Sequence, residues 1–191
     1  MKFVKQHFTT TLEVKQSKFI AHLIPYEQYQ QTLESLKDEH PKARHFVVAY
    51  RYLNEFNQVV EHSSDDGEPK GTSGKPSLMV LQGKEIINTA VIIVRYFGGT
   101  KLGTGGLVRA YSDAVNLVLN SAELFEYKHE ISKVIVIDYS DMRLIDYECE
   151  HIGVRVKDKV FGDDVRYSIV SDKVTLDTFL DKVSRIIKKV I

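Results

Sequence analysis

The sequence predicts a mixed α/β (α+β) protein of two domains, and three observations carry that prediction. A solid apolar run inside "TAVIIVRYF", residues 89–97, reads as a central strand covered on both faces. Strand-like and helical segments surround it in mixed order. Near "FEYKHEIS", residues 125–132, that pattern stops and then restarts. The expected domains are 1–127, an α/β sandwich, and 128–191, a smaller unit of ferredoxin-like type. With 43% hydrophobic and 27% charged residues, the 191-residue chain has an ordinary globular composition.

In order along the chain, 9–14 (TTTLEV) and 18–24 (KFIAHLI) read as short strands. Residues 26–39 read as a helix that stops before Pro41, because proline cannot continue it. Strands at 44–53 and 56–62 follow, then a turn-rich loop, "SSDDGEPKGTSGKP", at 63–76. A short helical segment at 77–82 leads to the central strand. The next helix runs from about Gly105 to Glu123. In it Leu107, Tyr111, Ala114, Leu117 and Val118 are expected to face the sheet, and Arg109, Asp113, Asn116 and Asn120 solvent. The second domain reads as strand 133–139, helix 141–152, strands 154–161 and 165–170, and helix 174–187. That βαββα order resembles a split ferredoxin-like unit whose last strand is missing or reduced to "KKVI".

Charge and apolar patterning exclude several classes. Lysine plus arginine equals aspartate plus glutamate at 26 each, so no global basic footprint for nucleic acid exists and such a partner needs a local patch. No apolar run is long enough to span a bilayer, so no membrane partner is expected. The start of the chain has no signal-peptide core, and the single cysteine, Cys149, agrees with a reducing compartment. A cytoplasmic protein is the expectation. Cys149 shares a helical face with Ile145 and Ile152 and reads as a buried structural thiol; His45 also reads as structural.

The densest motif is "VRYFGGTKLGTGGLVRAY", residues 94–111, with five of the eleven glycines between 98 and 106. Either the turn there is sterically tight, or a ligand comes close to the backbone. The expected binding residues are Arg95, Gly98, Gly99, Lys101, Gly103, Thr104, Gly105, Gly106 and Arg109. A helix begins in this loop, and its unpaired N–H groups attract anions. Between Glu85 and Asp113 there are three cations and no acid. The motif is neither a Walker loop, since Pro76 follows Gly74-Lys75, nor a dinucleotide fingerprint, since Val108 stands at the third glycine.

Asp65, Asp66 and Glu68 sit within four residues and form a candidate site for a divalent metal, although Asp-Asp-Gly is also common turn chemistry. If the acidic and basic loops meet, the carboxylates pair with Arg95 or Lys101, or coordinate a metal that helps hold phosphate. Seven histidines are scattered with no metal-binding H-x-x-x-H pair, and no nucleophile elbow occurs. No catalytic residue or resident cofactor is assigned.

"HSSDDGEPKGTSGKP" followed by "VRYFGGTKLGTGGLVRAYSDA" strongly resembles the YigZ/IMPACT family, and "SKFIAHL" and "ARHFVVAY" also fit. The resemblance covers roughly 15–125, and the tail resembles the C-terminal domain of the bacterial YigZ branch. It implies a first domain similar to the second domain of a small-subunit ribosomal protein, and a ferredoxin-like domain similar to one in elongation factor G. It also implies a link to translational control, which IMPACT proteins exert by competing for a kinase-activating protein. For bacterial relatives, nucleic-acid binding has been suggested.

The leading functional expectation is a non-enzymatic protein of translational control that binds RNA, the ribosome or another anionic ligand through the basic glycine loop. Tyr96 or Phe97 would stack on a base if exposed. One alternative is a metal-assisted enzyme acting on a small phosphorylated or nucleotide-like ligand, with a pocket where the two loops converge. Another is a protein-interaction module with a translation-related partner.

Overall fold

The computed structural model describes residues Met1 to Ile191, which divide into two units, Met1–Tyr127 and Lys128–Ile191. The first unit begins with the short Lys2–Phe3 (β1), then Phe8–Val14 (β2), Ser17–Pro25 (β3) and helix Tyr29–Glu39 (α1). His45–Leu53 (β4) and Val59–Ser64 (β5) form a hairpin, followed by helix Gly74–Gly83 (α2). Thr89–Tyr96 (β6), helix Gly103–Ser121 (α3) and the short Phe125–Glu126 (β7) complete it, with β7 pairing with β1.

Five strands form one antiparallel sheet in the order β2-β3-β6-β4-β5, which places β6 in the middle. Successive strand residues point to opposite faces, so a middle strand with helices on both sides needs apolar side chains at every position. Val91 and Ile93 enter the core beneath α3, along with Leu107, Tyr111, Ala114 and Val118. Ala90, Ile92 and Val94 enter a second core with Leu36 of α1. This is the two-faced burial that the Val/Ile run predicts.

Helix boundaries shift where tertiary partners intervene. The segment expected to begin at residue 77 begins at Gly74, because the Asp65 carboxylate accepts hydrogen bonds from the N–H groups of Ser73 and Gly74. Pro76 is tolerated because it lies in the first turn, where no intrahelical donor is needed. In α3, Leu117 is exposed instead of facing the sheet. Val115 and Leu119, one residue from the expected stripe, are buried in its place.

The second unit runs Glu130–Ile137 (β8), Met142–Ile152 (α4), Arg155–Phe161 (β9), Val165–Asp172 (β10), Lys173–Val183 (α5) and Ile187–Val190 (β11). The strand order β11-β8-β10-β9, antiparallel throughout, is that of a complete ferredoxin-like βαββαβ unit. The last strand is present but short, overlapping the reduced "KKVI" of the sequence reading, and α5 ends at Val183 instead of 187. Asp172 starts α5 by accepting hydrogen bonds from the backbone and hydroxyl of Thr175. Cys149 lies in this unit's core, where burial and the nearby Asp146 push its thiol up to about 11, so it stays protonated. No helix is long and apolar enough to cross a membrane.

Ile92 is fully buried on the central strand. Ile92→Ala is therefore expected to lower unfolding stability by about 2–5 kcal/mol, measured by urea titration.

Candidate functional site

The acidic loop folds around its own carboxylates. Asp65 accepts four hydrogen bonds: from the N–H of Gly71 at 2.7 Å, from the N–H and hydroxyl of Ser73 at 3.1 and 2.7 Å, and from the N–H of Gly74 at 2.8 Å. Partial burial favours the neutral acid, but these donors outweigh it and hold the Asp65 carboxyl below its ordinary value. Asp66, in left-handed backbone at φ +43°, accepts from the Phe46 N–H, and its carbonyl bonds to the His45 ring. His45 thus ties the loop to β4.

Glu68 turns inward. Its carboxylate meets Arg95 of β6 at 2.5 Å and accepts from the Tyr111 hydroxyl of α3 at 2.8 Å. Both charged side chains are more than nine-tenths buried, and the Arg95 guanidinium also lies over the Phe19 ring. Burial and the adjacent carboxylate push the Tyr111 phenol far above its ordinary value, so it remains a donor. The three carboxylates thus face different partners. No group of three or more His, Cys, Asp or Glu residues is arranged to hold a metal ion.

The basic loop presents a different surface. Gly98 is there because backbone passes backbone: a Cβ would lie 2.0 Å from the Gln16 carbonyl carbon, and the Gly98 N–H donates to the Ser17 hydroxyl. Gly99 and Gly103 take left-handed backbone, at φ +85° and +73°. Gly105 has neither reason, since a Cβ there would meet nothing within 4 Å and its φ is not positive. Gly103, Thr104, Gly105 and Gly106 form the first turn of α3, and no capping side chain accepts from that turn. Thr104, Lys101 and Arg109 are exposed, and neither of the two cations pairs with a carboxylate. Tyr96 packs in the α1-side core and hydrogen-bonds His40, whereas Phe97 is exposed.

The two loops do meet. A pocket of about 340 Å³ lies where Glu68 and Pro69 face Arg95, Phe97, Lys101 and the start of α3 through Leu107. The geometry brings together Arg95, Lys101, Gly103 and Thr104 around this pocket. Asp65 and Asp66 do not line it, and Arg109 lies outside it on the exposed face of α3. Tyr111 completes the buried polar cluster. Its helical spacing marks it only as sheet-facing, and no local sequence signal links it to Glu68, 43 residues earlier.

Replacing Glu68 with Ala leaves Arg95 buried without a counter-charge. An unfolding titration is expected to show a loss of about 3–5 kcal/mol, partly recovered when Arg95 is replaced by Met in the same chain. Asp65 gives a pH signature. Its carboxyl pKa is lower folded than unfolded, so its contribution is full above the unfolded value near 3.8 and is lost as pH falls through the folded value. Asp65→Asn should be less stable than the parent at pH 7, with the gap closing as acid protonates the parent, in melts run from pH 7 to pH 2.

Comparisons with known proteins agree with this architecture. The Impact N-terminal domain matches residues 15–119, and a domain of unknown function, DUF1949, matches 135–187. An IMPACT family member of Haemophilus influenzae is 34% identical over 177 residues, covering 87% of this chain and 82% of the relative. YvyE of Bacillus subtilis, also an IMPACT family member, is 34% identical over 176 residues, covering 90% and 80%. A crystal structure of a hypothetical protein superposes with a TM-score of 0.65 at 29% identity, over 96% of this chain and 91% of that one. The two-domain translational regulator Yih1 matches 61% of this chain and 45% of its own at 25% identity. Its TM-score of 0.37 is too low to carry a structural argument. On the domain match and these near full-length relatives, the chain belongs to the IMPACT family.

Proposed function

We propose that this protein acts by binding, in translational control, and that it holds the phosphates of single-stranded RNA at the start of α3. The observation that carries the reading is an uncapped first turn of a 19-residue helix flanked by two exposed, unpaired cations, Lys101 and Arg109. Unpaired N–H groups and the positive helix end attract phosphate, and the two cations supply charge-assisted hydrogen bonds. Gly105 keeps the approach to the backbone clear. Exposed Phe97, at the pocket's edge, offers a face on which a base can stack. Arg95 supports the wall of the site, with its charge already balanced by Glu68. The association of IMPACT proteins with translational control supplies the cellular setting.

The pocket itself favours a second reading: a small phosphorylated or nucleotide-like ligand seated between the two loops. Its metal-assisted form has Asp65, Asp66 and Glu68 to draw on only if their present hydrogen bonds are broken. A thermal shift with nucleotides that requires millimolar Mg²⁺ or Mn²⁺ would favour that form over RNA.

Fluorescence anisotropy of a labelled single-stranded RNA tests the first reading. Two cationic contacts give a log–log salt slope of about −1.4 between about 50 and 200 mM salt. Lys101→Glu with Arg109→Glu should abolish binding; unchanged affinity removes the assignment to this loop. Gly105→Ala separates backbone approach from helix propensity. It should raise stability by about 0.5–1 kcal/mol and weaken RNA binding, because the added methyl stands where phosphate approaches.

A further inference from the structure

The seven histidines look unrelated in sequence, yet the sheet brings three of them to one end of the α1 face. His7 precedes β2, His22 on β3 pairs across the strands with Thr9 of β2, and His40 follows α1. His7 Nε2 lies 3.0 Å from His22 Nδ1, and the Thr9 hydroxyl oxygen lies 3.0 Å from the first nitrogen and 3.2 Å from the second. These atoms form a nearly equilateral triangle. His40 belongs to a separate contact, 2.9 Å from the Tyr96 hydroxyl.

Protons do not satisfy this triangle fully. A neutral imidazole nitrogen that carries hydrogen has no lone pair left with which to accept. With one ring N–H and one hydroxyl hydrogen between them, the three contacts share two hydrogens. If both facing nitrogens carry hydrogen, the contact between them is repulsive. The frustration continues beyond the triangle: His22 is 7% exposed, and its other nitrogen, Nε2, is buried with no partner. Two imidazole nitrogens and a hydroxyl oxygen, all within 3.2 Å of one another, are instead a donor set that one cation can share. Ligand atoms on one face of an octahedral site with bonds near 2.1 Å stand about 3.0 Å apart, and on a tetrahedral site about 3.4 Å. The observed edges of 3.0–3.2 Å fall between these.

We propose that His7 Nε2, His22 Nδ1 and Thr9 Oγ1 form a binding site for a first-row divalent cation of the zinc, cobalt and nickel group. A pocket of about 260 Å³ adjoins the two imidazoles and is lined by Ser35, Leu36 and Glu39, which gives room for water ligands and a nearby negative charge. One Glu39 oxygen accepts from Ser35, and the other makes no hydrogen bond. Imidazole and oxygen donors suit this group of cations better than magnesium or calcium, which prefer all-oxygen shells. The set lies outside the acidic and glycine loops and is independent of RNA binding. A bound cation would clamp the chain before β2 to β3.

The experiment uses the full chain after chelator treatment and dialysis, titrated with Zn²⁺ by calorimetry and with Co²⁺ by visible absorption. One site per chain is expected, with a cobalt band that responds to the imidazole ligands. At a hundredfold excess of Zn²⁺ over Kd, the melting temperature should rise by about 5 °C or more. His7 is exposed, so His7→Gln should fold normally and lose the site; His22→Gln, though destabilising at a buried position, should lose it too. No binding to the parent at millimolar Zn²⁺, or binding by His7→Gln as tight as the parent's, overturns the proposal and assigns the contact to a shared proton or the binding to other histidines.

Discussion

The buried contact between Arg95, Glu68 and Tyr111 organises the first unit. It joins the middle strand, the acidic loop and the long helix at one point, where a polar loop crosses a hydrophobic core. Such a pair contributes little over apolar packing, but each partner alone carries a large desolvation penalty. The loop cannot leave without stranding a charge, so its position is coupled to the fold. Arg95, one of three cations in the glycine-rich segment, therefore acts first as a structural residue. The free positive charge of the surface rests on Lys101 and Arg109.

Two helix starts in the same unit show how much depends on local accounting of N–H groups. At α2, Asp65 delivers a carboxylate to the terminal N–H groups, and the surrounding "DDGEPKGTSGKP" loop wraps around that anion. At α3, no side chain fills the equivalent role, and the first turn is built from glycines and a threonine. The same electrostatic demand is met internally in one place and left open in the other. The five clustered glycines likewise divide by cause. Gly98 is required by a close backbone crossing, whereas Gly105 has open space around it and no strained dihedral.

Much of this was legible in the chain. The Val/Ile run at 90–94 announced a strand buried on both faces because only such a strand has no need for alternation. The opposite signs of the two loops made their meeting readable, although not the choice of Glu68 for Arg95. Other elements were misread for physical reasons. Leu117 and Val118 are neighbours on a helix, and 3.6-residue geometry alone does not decide which edge of the stripe meets the sheet. The sequence reading carries α5 to 187 because Ile186 and Ile187 continue the apolar spacing of Leu176, Phe179 and Val183, whereas the helix stops at Val183 and Ile187 pairs with β8.

Sequence by itself determined the mixed two-domain architecture, the central strand, the family and the location of a basic glycine loop before a helix. Each of these is written in local periodicity or in contiguous motifs, so neighbours in sequence suffice to read it. Tertiary structure alone decided which carboxylates stay buried and which cations stay free. It also decided that His7, Thr9 and His22 converge. These outcomes depend on cross-strand register, which pairs residues 13 or more positions apart, and on desolvation, which exists only once a core has formed.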